Sequence, residues 1–510
     1  MSNSFADIVL YSWPIVVYIL FQRLPLRDAL VWSIVAGYLL LPMRTGFNLP
    51  AFPTVDKRLI PVAMAAVMCL VINRHNRIAN EMAAERVIRG SLSRAVLPKP
   101  IHFEPRRGQI LFWGLLLFLF GAPFITALQN SDAIVQGRLF IPGLSLYDAL
   151  SMNANIAVAV LPFLLGRRYL ASDDAHLVLL RVFVIAAVGY SLLVLYEVRM
   201  SPQLNRQIYG FFPHSFSQHV RGDGFRPVVF MQHGLWLAII LCMSILAAAA
   251  LWKATSKSSP NRTVWLLATL WLFGTLFLSK SLGAFALSLI FLPALLFLKT
   301  RMLSLVAMCF CGFVLLFPLV RSAGIVPVET ILNIASAIDE QRAQSFEFRI
   351  ENEDILLEKA MQKPIAGWGS WGRGRVYNEA GFDISTTDGF WVLILGQFGW
   401  LGYLAHFGLL CLPVIMLGLK RNKIEYSIAT SGLALVLVVG VIDLIPNATI
   451  NPILWLIAGA MMGRYQTARS AEASSANRKA SQPILPAREP SFAGATQRTT
   501  GARLHKRRPR

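Results

Sequence analysis

The chain has 510 residues, 55% of them hydrophobic, with five cysteines and a formal net charge of +21. Repeated apolar runs of about 20 residues are long enough to cross a bilayer as helices, which excludes the soluble fold classes. The positive charge is unevenly placed, with eleven Lys/Arg and two Glu over 464–510 and eight Lys/Arg and three Glu over 74–107. Both stretches flank apolar runs, where basic residues anchor cytoplasmic loops to an anionic leaflet, so membrane lipid and not nucleic acid is the expected partner.

No basic residue precedes the first apolar run. The start therefore lacks the positive n-region of a cleaved signal peptide, and the first run is expected to be retained as a span. Spans are predicted at roughly 8–22, 28–43, 58–73, 110–128, 147–165, 178–196, 231–251, 263–279, 282–298, 302–320, 390–418, 427–445 and 450–464. That makes thirteen, or twelve if the two short first runs do not both cross. The fold class is all-α: a polytopic helical membrane protein of 12–13 transmembrane helices with a large outer loop containing short helices. Residues 1–128 form N-terminal helices with a basic cytoplasmic loop at 74–109, and residues 129–465 form the transmembrane core. The tail over 466–510 is rich in Ser, Ala, Pro, Gln and Arg and cannot bury a core, so it is expected to be a disordered, basic, cytoplasmic segment. Cys69, Cys242, Cys309, Cys311 and Cys411 all fall inside apolar runs without CxxC spacing, which indicates neither disulfides nor zinc.

Basic connections set the sidedness. Arg23 and Arg27, the 74–107 loop, Arg167-Arg168, Lys253 to Arg262, Lys299 to Arg301, Arg421 to Lys423 and the tail all fall on one side, read as the cytoplasm. The other side receives loops around 44–57, 129–146, 197–230 and 321–389, with a short hairpin near Pro446. Residues 321–388 carry eleven Asp/Glu against seven Lys/Arg, a reversal of sign that fits an outer loop. So much polar backbone cannot lie in lipid, and a connection this long tends to be functional. Within it, Phe346, Ile350, Leu357 and Met361 recur at helical spacing before Pro364, which predicts an amphipathic helix over about Ser345 to Gln362. Gly367, Gly369, Gly372 and Gly374, interleaved with Trp368 and Trp371, predict a tight irregular turn at interfacial depth.

Four groups of residues could carry chemistry. Arg221-Gly222-Asp223-Gly224-Phe225-Arg226 leads into Met231-Gln232-His233-Gly234 at the mouth of a span, and a guanidinium there matches two phosphate oxygens at once, or simply anchors the loop. Arg349 and Glu353 stand at i,i+4 spacing, which also suits an ordinary surface ion pair. Arg373 and Arg375 sit in the glycine-rich turn ahead of Asp388, which is placed to cap the next helix or to accept a proton. Lys280, between two spans, must snorkel, turn to the cavity or form the outer corner, and His214 and His219 lack a companion carboxylate for a metal.

In order and spacing three blocks resemble the O-antigen ligase and polymerase family of bacterial envelope enzymes. They are Arg226 to Gly234, Ser279-Lys280-Ser281-Leu282-Gly283-Ala284, and Arg349 through Pro364-Ile365-Ala366-Gly367-Trp368-Gly369 to Gly402. With the many-span plan they cover most of residues 130 to 465. Ligases of this family end in a His, a small residue, nine residues and Gly-x-x-Gly; here Asp388, Gly389, nine residues, Gly399 and Gly402 stand in those places. The resemblance implies an inner-membrane protein acting at the periplasmic face, C-terminus in the cytoplasm, on a polyprenyl-diphosphate-linked glycan donor and a glycan or lipid acceptor. It implies no cofactor and no metal. Arg226 and Arg349, with Arg221 and Arg373, would bind the diphosphate, and Asp388, or His233, would deprotonate the acceptor hydroxyl. Polymerisation and ligation are both open, because Asp replaces His. A flippase of lipid-linked sugar is the rival from another class, and it calls for charges through the middle of several spans. An inactive scaffold whose arginines only anchor loops is a second.

Overall fold

A computed structural model describes residues 2–49, 52–72, 74, 107–221, 224–325, 327–338, 340–422 and 426–480. Its helices in chain order are α1 (Ser4–Arg23), α2 (Leu26–Leu40), α3 (Ile60–Ile72), α4 (Arg107–Gln129), α5 (Leu146–Tyr169), α6 (Asp173–Met200), α7 (Leu204–Tyr209), α8 (Gly234–Ala254), α9 (Asn261–Leu278) and α10 (Leu282–Phe297). They continue as α11 (Thr300–Ser322), α12 (Val328–Ile338), α13 (Glu340–Met361), α14 (Phe390–Leu419), α15 (Ile428–Asp443) and α16 (Pro452–Ala480). Three antiparallel two-stranded hairpins sit in the connections: β1 (Gly46–Phe47) with β2 (Val55–Asp56), β3 (Ile134–Gln136) with β4 (Leu139–Ile141), and β5 (Val220–Arg221) with β6 (Gly224–Phe225). The chain is an all-α polytopic membrane protein.

Each of the thirteen apolar runs coincides with a helix. Among the described residues eight helices are long and apolar enough to cross a membrane, and α3, α10 and α15 are shorter apolar helices. The core centres on α8, which packs against α6, α9, α10 and α15 and buries residues all round its circumference from Leu237 to Leu251. Small side chains permit that crowding, because lipid gives helices no hydrophobic reason to associate and close contact must come from packing. A methyl group on Gly432 of α15 would stand 2.4 Å from Ala250 Cβ. On α16, Gly459 and Gly463 are four residues apart and lie against the backbone of α5, where added Cβ atoms would come within 2.0 Å of Phe163 O and 2.4 Å of Arg167 O.

The connections expected to lie together do meet at one end of the bundle. Lys57 Nζ donates to Phe230 O at 3.2 Å, Tyr209 Oη to Leu40 O at 2.7 Å, and Lys363 Nζ to Gln129 O at 2.9 Å. The basic connections gather elsewhere, where Arg464 pairs with Asp173 at 2.8 Å and Lys253 Nζ donates to Leu298 O at 2.6 Å.

Some boundaries differ from expectation. The helix predicted at Ser345 begins earlier, at Glu340, and α12 precedes it as a second short amphipathic helix. The tail expected to be disordered from 466 is helical through Ala480, and 481–510 lies outside the described residues, as do most of the basic loop 74–109 and the Gly222-Asp223 pair.

Candidate functional site

A buried carboxylate near the end of α6 organises the 197–230 connection. Glu197 accepts from Leu204 N–H at 2.9 Å through one oxygen and from Val228 and Val229 N–H, both at 2.7 Å, through the other. Phe230 N–H donates to Tyr190 Oη at 3.0 Å, and the buried Lys57 ammonium bridges Leu41 O at 2.7 Å and Phe230 O. Burial pushes the Lys57 amine down to about 7. These bonds fix the backbone between Arg226 and His233.

Arg226 follows the β5–β6 hairpin, donates its N–H to His219 O at 2.8 Å, and is buried. Its stem crosses Gly234, where a Cβ would meet Arg226 Cγ at 2.5 Å. His233 is the N-cap of α8, and its Nδ1 accepts from Leu235 N–H at 3.1 Å. That bond places the ring proton on Nε2. The His233 ring lies 4.9 Å from that of His214 and 4.8 Å from that of His219. Burial, then the neighbouring His219, Arg226, His214 and Arg349, hold His233 down to about 3. An imidazole so hard to protonate, with its Nδ1 lone pair already taken by Leu235 N–H, is a weak base and offers a donor at Nε2 instead. His219 is likewise a neutral structural group, pushed down to about 4 chiefly by burial; its Nδ1 bonds Ser215 O at 2.9 Å and its Nε2 receives Gly234 N–H at 3.3 Å. Among the described residues no group of His, Cys, Asp and Glu could hold a metal ion.

From the other side α13 brings Arg349, whose Nε stands 3.4 Å from Asp388 Oδ2 while Nη1 approaches Pro446 O at 3.5 Å. Asp388 does not cap α14. The N-cap is Gly389, and Phe390 N–H is taken by Leu444 O at 3.0 Å and Asn447 O at 3.1 Å. Glu353, the i,i+4 neighbour of Arg349, turns away from it and accepts from Trp391 Nε1 at 3.3 Å. Burial raises its carboxyl to about 7, Trp391 and Arg321 oppose that, and Asp354 and Asp388 add to it. Arg321 is itself paired with Asp354 at 2.5 Å.

The Asp388-Gly389, nine-residue, Gly399/Gly402 pattern has a mechanical meaning. Gly399 breaks α14 at φ 60, ψ −159, and the backbone groups it frees bind the glycine-rich turn. Trp400 N–H donates to Pro364 O at 2.7 Å and Leu401 N–H to Ile365 O at 3.2 Å, while Gly396 O and Gln397 O accept from Trp368 and Gly369 at 2.8 and 2.9 Å. A Cβ at Gly399 would lie 2.4 Å from Ile365 C, so only glycine fits the break.

The structure thus packs Arg226 on Gly234 beside His233 and pairs Arg349 with Asp388, and the charges of both arginines act on His233. Lys280 is a corner residue at φ 52 that donates to Arg221 O at 3.2 Å. Arg373 belongs elsewhere. It is buried, and its guanidinium donates to Trp368 O, Pro142 O and Asp132 O at 3.2, 2.7 and 2.9 Å, which makes it a tie between loops and leaves no free fork for a diphosphate. Glu197 and Lys57 were missed as a supporting frame, although an acid at the end of an apolar run is a signal in itself.

A cavity of about 490 Å³ adjoins the site. Asp56, Lys57 and Arg58 line it, as do Trp236 just inside α8, Phe390 next to Gly389, and Ala448 near the Pro446 carbonyl; Ile156, Phe398 and Trp455 continue it between the helices. A wall that combines polar and charged groups with apolar and aromatic ones suits an amphiphile. No family model and no curated protein matches this chain.

Proposed function

We propose that the protein is a membrane glycosyltransferase that uses a polyprenyl-diphosphate-linked glycan as donor, acting from the bundle end where the long connections meet. This would be the periplasmic face of a bacterial inner membrane. The observation that carries the reading is the Arg349–Asp388 pair at 3.4 Å on the same end as His233, against whose neighbour Gly234 the Arg226 stem packs and whose ring feels both arginine charges. Two guanidiniums and a neutral imidazole N–H form a donor cluster suited to a diphosphate, whose negative charge grows as the leaving group departs. Asp388 would take the proton of the acceptor hydroxyl as that oxygen attacks the anomeric carbon and the carbon–phosphate oxygen bond breaks. Arg349 would pair with Asp388 at rest and exchange it for phosphate when the donor arrives. The lipid portion would enter the adjoining cavity. Site charges confined to one end of the bundle favour transfer chemistry over a flippase, which needs ionisable groups along its path.

Arg226→Lys and Arg349→Lys test the reading, since each keeps its charge and loses the bidentate fork. Surface glycan should fall sharply at normal protein level; full-length glycan from both variants refutes the site. In cells lacking the protein, accumulated single repeat units on the carrier identify a polymerase, and long chains a ligase.

A further inference from the structure

A second cavity, of about 240 Å³, lies along α13 beyond the arginine site. Gln136 from β3, Glu358 and Lys359 from α13, Gln362 just past its end, and Arg375 and Tyr377 from the segment after the glycine-rich turn line it. Lys359 is ten residues from Arg349 on the same helix, about 15 Å along its axis.

Three cations crowd here around one indole. Lys359 Nζ lies 3.7 Å and Lys363 Nζ 4.5 Å from the centre of the Trp368 ring, and Arg373 donates to the Trp368 carbonyl. Burial comes first among the causes that lower both lysines; Lys363 and Arg373 add to it for Lys359, and Arg373, opposed by Asp132, for Lys363. Two of the three are spent on oxygens: Lys363 on Gln129 O and Asn130 Oδ1 at 2.8 Å, Arg373 on its three carbonyls. Among the described residues no oxygen accepts from the Lys359 ammonium, and the side chains of Glu358 and Gln362 have no hydrogen-bond partner either. A half-buried cation held against its own kind gains most from an anion brought to it. The amide and carboxylate beside it can meet hydroxyls.

We infer that this cavity is a saccharide subsite that selects a sugar bearing a carboxylate, with Lys359 pairing with the carboxylate and Glu358 and Gln362 bonding ring hydroxyls. The inference rests on the glycan-transfer reading and makes the substrate an acidic polysaccharide. Its place on α13 puts the acidic sugar some way along the glycan from the diphosphate.

The test measures equilibrium binding of a galacturonic acid oligomer and a galactose oligomer of equal length to the purified full chain in zwitterionic nanodiscs. Neither probe carries a diphosphate, so binding should survive Arg349→Lys, and the result stands apart from the fate of the transfer site. A charge-assisted bond of the usual strength predicts a preference of roughly tenfold or more for the acidic oligomer. Lys359→Met should abolish that preference and Lys359→Arg should keep it. Equal affinity for the two oligomers, no binding of either, or an unchanged preference in a folded Lys359→Met protein overturns the inference. Displacement of the acidic oligomer by added phosphatidylglycerol overturns it too, by assigning the cations to lipid headgroups.

Discussion

Arg349 Nε lies 3.4 Å from Asp388 Oδ2, and each side chain is about a third exposed, at 31% and 30%. An ion pair so wet contributes little to folding, within about 1 kcal/mol. Asp388→Asn should therefore leave the protein folded and Arg349 free to meet phosphate. Donor KM should stay level or fall, while kcat should drop on the order of 10²–10⁴-fold for loss of a general base. A variant with near-normal kcat would remove Asp388 from the chemistry.

Glu353 gives the site a pH dependence. Its carboxyl, raised to about 7, is protonated below that pH and ionises above it, which adds a negative charge close to Asp388 and Arg349. Attraction for a diphosphate should weaken accordingly, so donor KM should rise as pH climbs through 7. Glu353→Gln holds the neutral form at every pH and should flatten that rise in a KM profile. A rise of the same size in the variant would assign the dependence to another group.

The helices were legible because a bilayer demands long apolar runs, and that demand is written residue by residue. The site was legible only in part. Asp388 reads as a helix cap because a carboxylate stands at a helix entrance, but Phe390 N–H is satisfied by Leu444 and Asn447 carbonyls, a contact that no local pattern encodes. Arg373 reads like Arg349 in sequence, yet its guanidinium goes to carbonyls at Pro142 and Asp132 more than two hundred residues away. Nothing local separates the two arginines; the fold sends the Arg373 guanidinium to distant carbonyls and leaves that of Arg349 beside Asp388.

The break at Gly399 should be intolerant of any side chain. With φ at 60 and a Cβ that would stand 2.4 Å from Ile365 C, Gly399→Ala meets both backbone strain and a backbone clash. The strain alone costs on the order of 1–3 kcal/mol. Gly396→Ala is the control, because its Cβ would find nothing within 4 Å. Thermal unfolding in detergent should show a lowered Tm for the first variant and an unchanged or higher one for the second. Equal Tm values would mean that the glycine-rich turn is not held on the broken helix as described.

Glu197 should matter to transfer without touching substrate. Its two oxygens serve three amides, and the pair at Val228 and Val229 lies between Arg226 and His233. Glutamine has one carbonyl oxygen, so Glu197→Gln must set an NH₂ against either Leu204 N–H or the Val228 and Val229 pair. Alanine strands all three, at about 1–3 kcal/mol for each buried amide left unsatisfied. Limited proteolysis of the 197–230 connection should accelerate in the order wild type, Gln, Ala. Activity should fall in the same order while the helical signal stays constant, because the clamp orders a connection and leaves the spans alone. An alanine variant as protease-resistant and as active as the wild type would show that Arg226 is positioned by other contacts.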